Sequence, residues 1–165
     1  MILPMCRKIF SCVAWVLTAI LMVTIFCFSH QAAEESQETS ESFTKKVLST
    51  VKAFNQLPEI RQEQIVEDIQ FSVRKTAHFS VFASLGALML SAMYLTFNAK
   101  RLWLYTYIIS TAYAVCDEIH QYFIPGRACM VGDMVLDSMG VMAGILVVMI
   151  IRTLYIIRRN KKTKG

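Results

Sequence analysis

Asp117-Glu118-Ile119-His120-Gln121-Tyr122-Phe123-Ile124-Pro125-Gly126-Arg127 closes an apolar run that begins at Leu102. A run of that length reads as a helix crossing a bilayer, because about 20 residues rising 1.5 Å each cover a hydrocarbon core roughly 30 Å thick. Two adjacent carboxylates inside it demand an explanation. An ionisable group placed deep in hydrocarbon costs roughly 2.5 to 3.5 kcal/mol on insertion scales, so such groups need partners, water or a function. A second charged stretch, Arg74-Lys75-Thr76-Ala77-His78-Phe79, opens another apolar run, and Asp133 and Asp137 open a third.

Outward from these stretches, four runs have spanning length: residues 9–28, 77–97, 102–123 and 134–151. The chain of 165 residues is 55% hydrophobic and only 18% charged, which favours a membrane bundle over a soluble core. The expected fold is all-α, a single domain over residues 1–165 built as a four-transmembrane-helix bundle. The first run follows Arg7 and Lys8 as a signal peptide would, but it exceeds the usual apolar signal core of about 7 to 15 residues and reads as a retained anchor. Arg7 and Lys8, Lys100 and Arg101, and the tail Arg158, Arg159, Lys161, Lys162 and Lys164 all fall in the cytoplasm if both termini do. A multi-pass protein of the cell membrane is expected, with residues 29–76 and 125–132 outside. The net charge of +5 is then mostly topogenic, and no nucleic-acid partner is expected.

The external segment 29–76 has two parts. Residues 29–42 are acidic and serine-rich, too poor in apolar groups to build a core, and read as the start of a flexible loop. From Phe43 onward, Phe43, Val47, Val51 and Phe54 share a helical face, and after Leu57-Pro58-Glu59 the pattern resumes with Ile65, Ile69 and Val73. Two short amphipathic helices leading into the second span are expected. On that span Ala77, Ser80, Ser84, Ala87 and Ser91 form a small-residue stripe; Gly140 and Gly144 share a face of the fourth with Asp133 and Asp137. Five cysteines without regular spacing form no disulfide framework, although Cys27 and Cys129 both fall near the outer surface.

Topology gathers the charged stretches at one end. Arg74, Lys75 and His78 begin the second span, Asp117, Glu118 and Gln121 end the third, and Asp133 and Asp137 begin the fourth. Arg74 and His78, Asp117 and Gln121, and Asp133 and Asp137 are each four residues apart, so each pair projects from one helix face. Opposed across a bundle, they make a polar pocket with an apolar floor. Pro125-Gly126-Arg127 turns the chain and sets a guanidinium over its mouth.

These residues are similar to the VanZ-like family of bacterial membrane proteins, named from teicoplanin resistance. The resemblance is carried by Phe28-Ser29-x-Gln31 with Glu35-Ser36, by Arg74-Lys75-x-x-His78-Phe79 with Leu85-Gly86, and by Tyr113-Ala114-x-x-Asp117-Glu118-x-His120-Gln121-x-Phe123-x-Pro125-Gly126-Arg127. It continues through Asp133, Asp137, Gly140 and Gly144. The stretch between Arg127 and Asp133 departs from the family in being less polar. The resemblance implies an envelope role, with glycopeptide resistance in some members; it supplies no settled reaction.

Three readings of the cluster stay open. In the structural one, Asp117, Glu118, Asp133 and Asp137 neutralise Arg74, Lys75 and Arg127, although buried ion pairs often add little net stability. In the binding one, Arg74, Lys75, His78, Asp117, Glu118, Gln121, Arg127, Asp133 and Asp137 surround the headgroup of a membrane lipid, a lipid-linked cell-wall precursor or a glycopeptide antibiotic; guanidinium forks suit phosphate oxygens. In the enzymatic one, Asp117, Glu118 and His78 are the catalytic candidates of a metal-assisted or general acid/base hydrolase. No HExxH-like ligand signature is present, so no metal or cofactor is expected and the balance leans away from an enzyme. His120 reads as a surface histidine at the membrane interface.

Overall fold

The computed structural model describes residues 4–31, 33–127 and 129–162, leaving aside the side chains of Pro4, Ala33, Glu35 and Ser36. The parts of the motifs that rest on the Glu35 and Ser36 side chains, and Lys164 of the tail, lie outside the described residues. Six helices follow one another: α1 (Pro4–Ser29), α2 (Ala33–Leu48), α3 (Lys52–Asn55), α4 (Glu59–Thr96), α5 (Leu102–Tyr122) and α6 (Val131–Lys162). Among the described residues there is no strand. α1, α4 and α6 are long and apolar enough to cross a membrane. α5, with 21 residues, has the length, but its tyrosines and the Asp117-Glu118 pair dilute its hydropathy.

α4 is the centre, packed against α1, α2, α5 and α6. Its tightest partner is α6, and small residues are the reason. A Cβ on Gly140 would run into the Phe79 carbonyl, one on Gly144 into the Ala83 carbonyl, and one on Gly86 into the Val141 carbonyl. Backbones approach this closely in lipid through small residues at the seam. The seam therefore runs along Phe79, Ala83, Gly86 and Ala87. Ser80 and Ser84 of the expected stripe are exposed and bond back to the Thr76 and Ser80 carbonyls, closing their polar groups within the helix. Phe82, Leu85, Leu90, Val141 and Ile145 fill the core beside the seam.

α5 turns a different stripe inward. Thr106, Ser110, Ala114, Asp117 and Gln121, spaced three or four apart, are all buried, whereas Trp103, Tyr105, Ile108, Ile109 and Ile119 are exposed. A polar interior with an apolar exterior suits a helix whose outer face meets lipid.

Two boundaries differ from the sequence expectation. The segment from Glu34 to Ser42, expected as loop, is helical within α2. Its helix is held by contacts that composition does not show: Gln70 Nε2 donates to the Gln37 carbonyl at 2.9 Å, Thr44 Oγ1 to the Ser40 carbonyl at 2.7 Å, and Lys45 pairs with Glu41 at 2.9 Å. Likewise, the second expected short helix is not separate: α4 runs unbroken from Glu59 through Arg74 into the apolar stretch.

Candidate functional site

The chain turns sharply after α5. Pro125 at the second turn position and Gly126, with φ of 75°, at the third carry the Ile124 carbonyl to the Arg127 amide at 3.1 Å, a type II turn that needs a residue tolerant of positive φ. The turn delivers Arg127 to the open end of α1. There Nε donates to the Gln31 carbonyl at 3.0 Å and a terminal guanidinium nitrogen to the Phe28 carbonyl at 3.3 Å. Helix C-termini leave carbonyls unsatisfied, and a cation is the favourable cap. Arg127 thus does not neutralise the carboxylates through a direct ion pair, as the structural reading supposed.

The carboxylates form four separate arrangements. Ser29 Oγ donates to Asp117 Oδ2 at 2.7 Å, and Gln121 Nε2 reaches both the Ser29 hydroxyl and that carboxylate at 3.2 Å. Glu118 Oε2 accepts the Met130 amide at 3.3 Å, next to the start of α6. Asp133 pairs with Lys75, while Asp137 Oδ1 lies 3.9 Å from His78 Nδ1. Asp137 and Glu118 are fully buried. One oxygen of Asp117, one of Glu118 and both of Asp137 have no hydrogen-bond partner. Buried polar atoms are rarely left so, and a cluster of them requires a reason beyond packing.

A pocket of about 410 Å³ lies beside this cluster, between the last turns of α1, the middle of α4 and the middle of α2. Leu21, Ile25, Phe28, Val81 and Phe82 make its apolar floor; Ser29, Gln31, Ser40, Arg74, His78 and Arg127 make its polar end. His78 lines the pocket while facing Asp137, and Ser29 lines it while donating to Asp117. Two pocket side chains are therefore each backed by a buried carboxylate. Arg74 forms no ion pair among the described residues. Burial, then the neighbouring Arg74 charge, pushes the Arg127 guanidinium below its ordinary value, with Asp117 and Glu118 pulling it back. Two cations that repel one another at the end of an apolar pocket are suited to a shared anion.

Of the residues singled out from sequence, the structure brings Arg74, His78 and Arg127 to the pocket, and places Asp117, Gln121 and Asp137 one layer behind it. Lys75, Asp133 and Glu118 sit at the α4–α5–α6 side instead. His120 belongs to neither: it stacks on Phe26 at 4.6 Å and meets His30 Nδ1 through Nε2 at 3.3 Å, fastening α5 to α1. Ser29 is the site residue that the spacing arguments passed over. Its signal was a hydroxyl closing a long apolar helix, in a motif already noted for its resemblance. All five cysteines are free, Cys27 and Cys129 included. Among the described residues, no three His, Cys, Asp or Glu are grouped to hold a metal ion.

Long apolar helices with a small-residue seam and a charged pocket at one end are the features of a membrane protein. The chain belongs to the VanZ/LLP1 family, whose model matches residues 14–152. No curated protein and no solved structure matches it significantly.

Proposed function

We propose that this VanZ-family protein crosses the cell membrane four times, with α5 as the third span and both termini cytoplasmic, and that its outer end binds the anionic headgroup of an envelope lipid or lipid-linked wall precursor. Protection against teicoplanin-like lipoglycopeptides is the biological setting the family implies. One observation carries the reading: Arg74 and Arg127 stand together at the polar end of a pocket whose floor is apolar. Guanidinium groups match phosphate oxygens, and an acyl or isoprenoid chain matches the floor. Native mass spectrometry of the purified protein tests it. A phosphate-bearing lipid should co-purify with the wild type and be lost from Arg74→Ala; equal retention by that variant refutes the assignment. Impermeant labelling of Cys129 in intact cells tests the orientation, and an unlabelled but accessible thiol would reverse it.

The unpaired oxygens of Asp117 and Asp137, behind Ser29 and His78, favour a second reading, a general acid/base hydrolase of an envelope lipid. Asp117→Asn keeps the size and hydrogen-bonding capacity of the side chain but removes its basic oxygen, so a hydrolase loses turnover whereas a headgroup binder retains its ligand. Release of phosphate or a cleaved headgroup from liposomes, with and without a chelator, separates the two.

A further inference from the structure

The end of α1 is tied to α5 by two imidazoles that stand outside the pocket. His30 Nδ1 and His120 Nε2 are 3.3 Å apart, while the ring centres are 5.5 Å apart and the ring planes differ by 16°. Little more than a ring radius is left on either side, so the two nitrogens face one another along the line of centres. Such a contact holds only when one nitrogen donates and the other accepts. With both rings neutral, or with one of them charged, a single hydrogen lies between the nitrogens and the bond stands. With both charged, two hydrogens, each about 1 Å from its nitrogen, would have to share the 3.3 Å gap, and two like charges would meet there. The pair therefore holds through its first added proton and parts on its second.

Parting at His30 would be felt in the pocket. Its neighbours Phe28 and Gln31 present the carbonyls that receive Arg127, at 3.3 and 3.0 Å, and Ser29 donates to Asp117 at 2.7 Å. Those three residues line the pocket, and His30 does not. The other polar tie between α1 and α5, the Tyr113 hydroxyl on the Met22 carbonyl, lies two turns deeper. Release of the imidazoles thus loosens the last turn of α1 and the carbonyls that fix Arg127.

The charged groups around the pair oppose one another. Asp117, one turn before His120 on α5 and within its electrostatic reach, favours a positive ring. Arg127, bonded to the carbonyls on either side of His30, disfavours one. His78 and Arg74 of α4 act on the pair through Asp117 and Arg127. The remaining titratable side chains are Cys27 on α1, Cys116 on α5 and Glu34, exposed at the start of α2.

Resting on the headgroup reading above and adding its control, we propose that His30 and His120 form a proton-operated latch on the pocket. Closed, it holds Arg127 and Ser29 in place and the anionic lipid stays bound; opened by acid, it lets the lipid go.

The test follows binding of fluorescent phosphatidylglycerol to the full-length protein in phosphatidylcholine nanodiscs from about pH 8 to about pH 5, the range in which histidine changes charge. The probe is a phosphodiester and keeps its charge throughout. Wild type should lose affinity by about 10-fold on acidification, within the roughly 5- to 150-fold that coupled sites give. His120→Gln leaves His30 a partner at every pH, because an amide both donates and accepts, yet it has no proton to gain. Its affinity should be high and flat. His120→Phe keeps a ring to stack on Phe26 but loses the bond, so its affinity should be low and flat. Circular dichroism and melting identify a variant that fails to fold, and His30→Gln, with the same expectation as His120→Gln, then decides. A folded glutamine variant that loses affinity as wild type does, a flat wild type, or full affinity in His120→Phe overturns the latch. The headgroup reading stands in all three cases so long as Arg74→Ala abolishes binding. If the probe is not bound, or is bound equally by Arg74→Ala, that reading fails and the imidazoles are judged alone. In heteronuclear spectra of isotope-labelled histidine, His30 and His120 of wild type should then titrate in two shared steps and His30 of His120→Gln in one; independent single steps in wild type overturn the latch as well.

Discussion

The two ends of the bundle treat polar groups in opposite ways. Where α1 begins and α4 ends, a single hydroxyl gathers the polar groups of both helices. Thr96 donates to the Ala92 carbonyl at 2.8 Å and accepts from Trp15 Nε1 at 2.8 Å and Ser11 at 2.6 Å, which uses its full hydroxyl capacity; Arg7 Nε caps the Leu95 carbonyl at 2.8 Å. At the other end, where α1 stops and α6 starts, Asp117, Glu118 and Asp137 keep buried oxygens without partners. The first end is what a helix bundle needs for register. The second is costlier than register requires, and in lipid an ionisable residue retained at such cost marks a working site. Each end also carries an arginine on a helix C-terminus, Arg7 on α4 and Arg127 on α1, but only Arg127 stands in a pocket.

The largest effect should come from the seam that holds the two ends in common. Gly144→Leu sets a branched side chain against the Ala83 carbonyl and Ala87 amide, and no rotamer avoids backbone at the first carbon. Overpacking of this kind costs about 3 kcal/mol or more. Thermal melting in detergent should show the variant unfolded or its transition sharply lowered, with both ends affected together. A melting curve close to wild type would mean that α4 and α6 are not in contact as described.

The arginines give the next comparison. Arg127→Ala removes two charged hydrogen bonds from the α1 terminus, and Arg7→Ala removes one from α4. Of these only the Arg127 bond to the Gln31 carbonyl is partly buried, where a bond to a charged group is worth about 1.5 to 3 kcal/mol, so Arg127→Ala should lower the melting transition more. Only Arg127→Ala should also release the bound phosphate lipid. Loss of lipid from Arg7→Ala to the same degree would remove the distinction between the ends.

How far the sequence reveals this contrast depends on what each contact is made of. The apolar runs and the two charged stretches are legible because helical periodicity and length are properties of the chain itself. Pro125-Gly126 announces its turn for the same reason: only special φ values fit there. Arg127's partners are backbone carbonyls, which have no sequence signature, so an ion pair with a nearby carboxylate is the natural and mistaken expectation. The helix over Glu34–Ser42 is likewise hidden, since it is stabilised by Gln70 from a distant segment. Thr96 does not stand out along the chain, and Ser29 does so only within a motif of resemblance; each becomes significant when α1 is set beside its neighbours.

Asp137→Asn reverses the usual sign. Exchanging a buried carboxylate whose two oxygens lack hydrogen bonds for a neutral amide of the same size should raise stability by about 1 kcal/mol, because a neutral polar group is cheaper to bury than a charged one. Chemical or thermal unfolding in a fixed detergent measures it. A loss of stability instead would show that His78 and Asp137, 3.9 Å apart, act as a formed ion pair, and the end would then belong with the structural reading.

The smallest effect belongs to the satisfied end. Thr96→Val keeps the shape of the side chain but removes the oxygen that Trp15 and Ser11 both reach. Thr96 itself is exposed, so water or headgroup oxygens compensate part of the loss, and the net cost should be about 1 kcal/mol. Melting should fall by a few degrees, at the lower end of what 1 kcal/mol shifts in a domain of this size. Lipid retention should not change at all, because the pocket lies at the opposite end of α1. Paired measurements on Thr96→Val and Asp137→Asn therefore test the contrast directly: one variant loses stability through removal of a used oxygen, the other gains it through neutralisation of a carboxylate whose oxygens are unused. If both fall, the unpaired oxygens are paired in the membrane, and the two ends differ in position only.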